Sequence, residues 1–179
     1  MKQTIATAFK FLLLMTLLTG ILYPLFITLT AQLIMPYQAN GSLIKMEGKT
    51  IGSLLIAQHT DLERYFWPRP SFIDYDPLKP SGGSNLGPTS ATLKQMIEER
   101  KKKIGFDAPS ELLYASASGL DPHITIEAAY YQAPRVARAR SLDEENLKKL
   151  IHSLEEGTIL RRGYVNVLLL NKALDDNRI

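Results

Sequence analysis

Residues 11–35 read FLLLMTLLTGILYPLFITLTAQLIM, an apolar run without a charged side chain. About 20 such residues cross the hydrocarbon core of a bilayer as a helix, and this run is longer. The sequence therefore predicts a retained membrane helix. The alternative is a secretory signal peptide with Lys2 and Lys10 as its basic region. A signal core is only about 7–15 residues long and ends at small residues. Here the run continues into Leu29, Thr30, Ala31 and Gln32, a poor cleavage site.

Orientation follows from the flanking cations. Lys2 and Lys10 precede the run, and no charge follows it until Lys45 and Glu47. Positive flanks stay in the cytoplasm. The expected layout is residues 1–10 inside, 11–35 spanning and 36–179 outside. Within the span, Pro24 deprives the Gly20 carbonyl of its helical partner. Thr16 and Gly20 form a small-xxx-small pair that lets a second helix approach. Gly and Pro are also common in membrane helices generally, so these three residues are candidate partner contacts and not a proven docking face.

The chain has 179 residues, a net charge of +3 and no cysteine. What remains beyond the span suffices for one domain with its own core. The mild charge lacks the concentrated basic face of a nucleic-acid binder, so no nucleic-acid partner is expected. Disulfides, thiolate metal sites and a cysteine nucleophile are excluded.

Residues 36–42 read as a turn-rich exit from the membrane, with Tyr37 as an interfacial aromatic. Residues 43–45 and 50–57 flank Glu47-Gly48 as a β-hairpin. Residues 65–88 are dense in Pro, Gly and aromatics, and predict an ordered irregular segment packed by Tyr65, Phe66, Trp67, Phe72 and Tyr75. Thr89 or Ser90 caps a helix to about Lys103, stopped by Gly105. Residues 112–115 are a strand candidate, and a helix follows over 125–139. Ser141 and Glu144 have capping-box spacing for a helix to Glu156, closed by Gly157. Residues 165–174 are assigned to a helix by length. Together these predict a mixed α+β or α/β domain.

Few residues suggest chemistry. His59, His123 and His152 lack metal-ligand spacing, and Asp74 and Asp76 lack the rest of a calcium loop. No metal site and no catalytic set is expected. The loop Ser81-Gly82-Gly83-Ser84-Asn85 precedes a helix and offers backbone N–H groups to an anion, but no Walker-type sequence exists. A tight turn with positive φ at glycine is the plainer reading. Gln132, Arg135 and Arg138, three apart, predict a shared helix face that suits an acidic partner or a phosphate. With Arg140 they also fit an ordinary solvated face.

Several blocks in fixed order carry a resemblance along nearly the whole chain. They are Gly20…Tyr23-Pro24, residues 38–44 (QANGSLI), Tyr65-Phe66-Trp67…Arg69-Pro70-Ser71 and residues 81–86 (SGGSNL). Residues 115–124 (ASASGLDPHI), Gln132…Pro134-Arg135-Val136-Ala137…Arg140 and Val165-Asn166-Val167…Leu170-Asn171…Ala173-Leu174-Asp175 complete the set. The chain resembles the C subunits of Kdp-type potassium-transporting P-type ATPases of bacteria. Pro68 departs from the small residue expected there.

The resemblance implies a non-catalytic accessory subunit of a high-affinity potassium importer in the bacterial inner membrane. Its implied partners are a channel-like A subunit, an ATP-hydrolysing B subunit, a small F subunit and membrane lipid. No cofactor is implied as tightly bound. The resemblance also implies a proposed role as catalytic chaperone, with ATP in a ternary complex with the B subunit. Gln132, Ser81, Gly82, Gly83 and Asn85 are then the candidate nucleotide contacts, and Arg135 and Arg138 join Thr16, Gly20 and Pro24 as candidate partner contacts. The expected outward orientation favours the alternative: a scaffold or cap over the potassium entrance without ATP contact.

Overall fold

The computed structural model of the chain describes residues 1–158 and 161–176. The chain divides into two units, residues 1–43 and 44–179. The first unit is dominated by a helix over Lys2–Ile34, long and apolar enough to cross a membrane. Its 33 residues span about 50 Å at a rise of about 1.5 Å each.

This helix comprises α1 (Lys2–Leu17), a π-helical turn (Leu18–Leu22) and α2 (Tyr23–Ile34). Pro24 explains the turn. Without an N–H it cannot bond the Gly20 carbonyl, and the widened turn lets the Tyr23 N–H reach back to the Leu18 carbonyl. The hydroxyls of Thr19 and Thr30 bond to the Met15 and Phe26 carbonyls at 2.7 and 2.8 Å, so the helix satisfies them itself. Met35 breaks the helix, and Pro36 opens the one-turn α3 (Pro36–Ala39) in the region expected to be turns.

A hairpin of β1 (Leu43–Met46) and β2 (Lys49–Ser53) starts at the last residue of the first unit and leads into the second. Glu47 and Gly48 both have positive φ, the geometry that suits a two-residue hairpin turn. Residues 54–90 contain no helix or ladder strand. Then come α4 (Ala91–Ile104), α5 (Ser110–Leu113), β3 (His123–Thr125), α6 (Ile126–Arg140), α7 (Glu144–Ser153), β4 (Glu156–Thr158), β5 (Arg161–Asn166) and α8 (Val167–Asp175). The antiparallel sheet has the order β3-β5-β4, with Ile124 opposite Val165. The core joins α6 (Ala129, Ala133, Val136), α7 (Leu147, Ile151) and α8 (Leu170, Leu174) to Ile124, Val165 and Phe66. Small residues on α6 let these neighbours approach closely.

The fold is the mixed α and β class expected, with local corrections. Residues 112–115 are not a strand: Pro109 starts the one-turn α5, which buries Leu112 and Leu113. The α7 cap is Asp143, whose side chain accepts from the Asn146 N–H, and not Ser141. Ser141 ends α6 in the left-handed conformation. Helix α7 stops at Ser153, and Gly157 lies inside β4. Val165 and Asn166 finish a strand before α8 begins, because Ile124 pairs with Val165. The second hairpin strand ends at Ser53.

Candidate functional site

Helix α6 positions most of the candidate polar groups. Thr125 caps it by accepting from the Ala128 N–H, and Arg138 and Arg140 lie in its last turn, where cations favour the dipole. Its buried stripe is Ala128, Ala129, Gln132, Ala133, Val136 and Ala137. Pro134 sits on the exposed side, where the Tyr130 carbonyl it releases can meet water.

Gln132 is only 3% exposed. A buried amide needs partners, and Trp67 supplies them. The Trp67 N–H donates to Gln132 Oε1 at 2.8 Å, and Gln132 Nε2 donates to the Trp67 carbonyl at 3.1 Å. Asn171 on α8 does the same for the preceding residue. The Phe66 N–H donates to Asn171 Oδ1 at 2.8 Å, and Asn171 Nδ2 donates to the Phe66 carbonyl at 2.9 Å. Successive residues of an internal β-strand bond to opposite neighbours in this way. Here both neighbours are side-chain amides.

Arginines tie down the residues before this dipeptide. Arg135 donates to the Glu63 and Tyr65 carbonyls at 2.6 and 3.0 Å and to Gln132 Oε1 at 2.8 Å. Burial pulls its pKa below the usual arginine range, partly offset by Glu63. Arg140 donates to the Arg64 carbonyl at 2.7 Å and pairs with Asp175 at 2.6 Å. The Tyr65 hydroxyl donates to the other Asp175 oxygen at 2.8 Å. Arg138 is exposed. Of the expected shared face, Gln132 and Arg135 do meet, and Arg138 stands apart from them. Steps of three residues drift about 60° each around a helix of 3.6 residues per turn, which carries Gln132 to the core and Arg138 to solvent.

The loop over residues 81–85 has other partners. Ser81 Oγ and the Gly82 N–H both donate to the Ser118 carbonyl, at 2.8 and 3.2 Å. That uses one N–H an anion would need. Positive φ belongs to Asn85 and not to Gly82 or Gly83, which corrects the expected glycine turn. Gly83 packs against the 116–117 backbone, where a Cβ would make an ordinary contact of 3.6 Å with the Ala117 Cα. The structure thus gives Gln132 and the 81–85 loop separate partners.

A pocket of about 260 Å³ lies beside the hairpin and α8, with Met46, Ile51 and Leu168 among its walls. Its polar lining includes Asn171, Lys172 and Asp175. These side chains bond to Phe66, to Asp176, and to Tyr65 and Arg140 respectively. The described histidines also have local contacts. His59 lies against Tyr75, His123 against Tyr164, and His152 against Glu155. Among the described residues no group of three or more His, Cys, Asp or Glu could hold a metal. Thr16, Gly20 and Pro24 stand exposed on the long helix.

Sequence reasoning missed Asn171 and the pairing of Arg140 with Asp175. A signal for Asn171 existed. It follows Val167 and Leu170 at helical spacing, so it borders the buried stripe of α8.

Nearly the whole described length matches one family. The model of the family described as K+-transporting ATPase, c chain (KdpC) matches residues 5–176. The chain belongs to the KdpC family. It is 42% identical to the potassium-transporting ATPase KdpC subunit of Leptospira interrogans, over 96% of this chain and 93% of that one. It is 45% identical to the KdpC subunit of Geotalea uraniireducens, over 98% of both chains. The KdpC subunit of Synechocystis is 44% identical over 91% of this chain and 93% of its own.

Proposed function

We propose that this chain is the non-catalytic accessory subunit of an ATP-driven potassium importer, and that it acts in assembly and stabilisation. One helix within residues 11–35 anchors it in the bacterial inner membrane. Residues 1–10 lie in the cytoplasm and 36–179 outside. Its partners are the potassium-carrying A subunit, the ATP-hydrolysing B subunit, the small F subunit and lipid. Family membership over residues 5–176 supports the complex.

The commitment of Gln132, Arg135, Arg140 and Asn171 to internal bonds supports a scaffold. The finer reading is a catalytic chaperone that raises the ATP affinity of the B subunit. It needs a cytoplasmic domain and an accessible Gln132, and the burial of Gln132 favours the scaffold.

The membrane helix provides the test. Gly20 is exposed, and a Cβ there would meet the Thr16 methyl at an ordinary 3.9 Å, so the helix itself has room for a side chain at this position. Co-expression with the other subunits and affinity purification should recover less complex for Gly20→Leu and Thr16→Leu than for wild type. Unchanged recovery of both variants would overturn the docking helix.

A further inference from the structure

We propose that Gln132 and Asn171 are a matched pair of positioning residues that hold the Phe66–Trp67 backbone. Any dependence of the assembled ATPase on Gln132 then runs through this clamp and not through nucleotide contact. The ATPase part rests on the accessory-subunit reading above; the clamp itself does not.

Hydrogen-bond capacity carries the argument. The Gln132 carbonyl oxygen has two lone pairs, and both are taken, by the Trp67 N–H and by Arg135. Its NH₂ has two hydrogens, and one goes to the Trp67 carbonyl. One hydrogen remains, on a side chain 3% exposed. A nucleotide contact through the oxygen would break the clamp and leave a buried Trp67 N–H unpaired, which is costly. Asn171 makes the same paired bonds to Phe66 from α8. The two amides thus bracket one dipeptide, and Phe66 is fully buried. They join α6 and α8 through a segment that forms no ladder. The symmetry makes Asn171 the discriminating residue, because a nucleotide role for Gln132 gives no reason for Asn171 to share its phenotype.

Trp67 is the sole tryptophan of the chain, so its emission reports the clamp directly. The test uses the full-length chain in detergent micelles and, in parallel, the co-expressed complex. Gln132→Ala and Asn171→Ala should both red-shift Trp67 emission and speed acrylamide quenching. Gln132→Glu and Asn171→Asp, which keep volume and replace a donor by an acceptor, should do the same more weakly while far-UV circular dichroism stays native. Mg-ATP added to the wild-type chain should leave the emission unchanged. In the complex, any rise in KM for ATP should be shared by the Gln132 and Asn171 variants.

A saturable ATP-dependent change in wild-type Trp67 emission would overturn the proposal. So would a KM rise confined to Gln132 variants whose Trp67 emission is native. If the wild-type chain assembles no complex, the accessory-subunit reading fails, and the fluorescence measurements still decide the clamp.

Discussion

Arg135 holds its guanidinium 4.0 Å from the centroid of the Trp67 ring. The same group reaches the carbonyls of Glu63 and Tyr65. A planar fork can stack and donate at once, and an ammonium cannot. Arg135→Lys should therefore destabilise the domain although charge is kept. The expected cost is about 2 kcal/mol. Urea denaturation of the full chain in micelles, followed by Trp67 emission, measures it. A cost near zero would mean that the stacked, forked geometry contributes nothing.

Gly119 and Ile73 give a second prediction. Gly119 has φ +72°, and a Cβ there would lie 2.7 Å from Ile73 Cγ1. Ile73 is the buried anchor of residues 71–79, since Phe72, expected to pack there, is 49% exposed. Gly119→Ala should cost about 2 kcal/mol or more, from strain plus overlap. Adding Ile73→Val removes Cδ1, which would lie 3.0 Å from the new Cβ, and so relieves part of the overlap; the two changes together should cost less than their sum. Simple additivity in a double-mutant cycle would contradict this contact.

Much of this was legible in the sequence, for identifiable reasons. The apolar run at 11–35 has one physical solution, and the Glu47-Gly48 turn and the Ser90 cap depend on neighbouring residues alone. Asp143 competed with Ser141 for one helix start. Position alone could not decide it, because Ser141 was needed to end α6. Val165 and Leu170 look alike in hydropathy, yet one pairs with Ile124 across the sheet and the other packs from a helix. The amide clamp was the least visible feature. Gln132 and Trp67 are 65 positions apart, and only the fold brings an amide to that backbone.

Tyr75 makes alkaline stability a readout. Burial pushes its phenol up to about 12, partly countered by Arg100. Its hydroxyl donates to the Arg69 carbonyl at 2.9 Å. The folded state thus prefers the neutral phenol. The resulting stability is fully present below the unfolded value of about 10 and is lost as pH rises towards about 12. The stability difference between wild type and Tyr75→Phe should therefore shrink between about pH 8 and about pH 11. Urea midpoints at both values check it, and a constant difference would contradict a buried, titrating Tyr75.

The central claim is that the folded domain stands outside the cytoplasm as a scaffold. Labelling a single introduced cysteine tests this most directly, because the native chain has none. Gly48 is a poor position, since its φ of +80° disfavours a side chain. Lys102 is exposed on α4 and suits the purpose. Intact cells carrying the Lys102→Cys chain within the complex should react with a membrane-impermeant maleimide. Reaction only after the cells are broken open would place the domain in the cytoplasm and contradict the account.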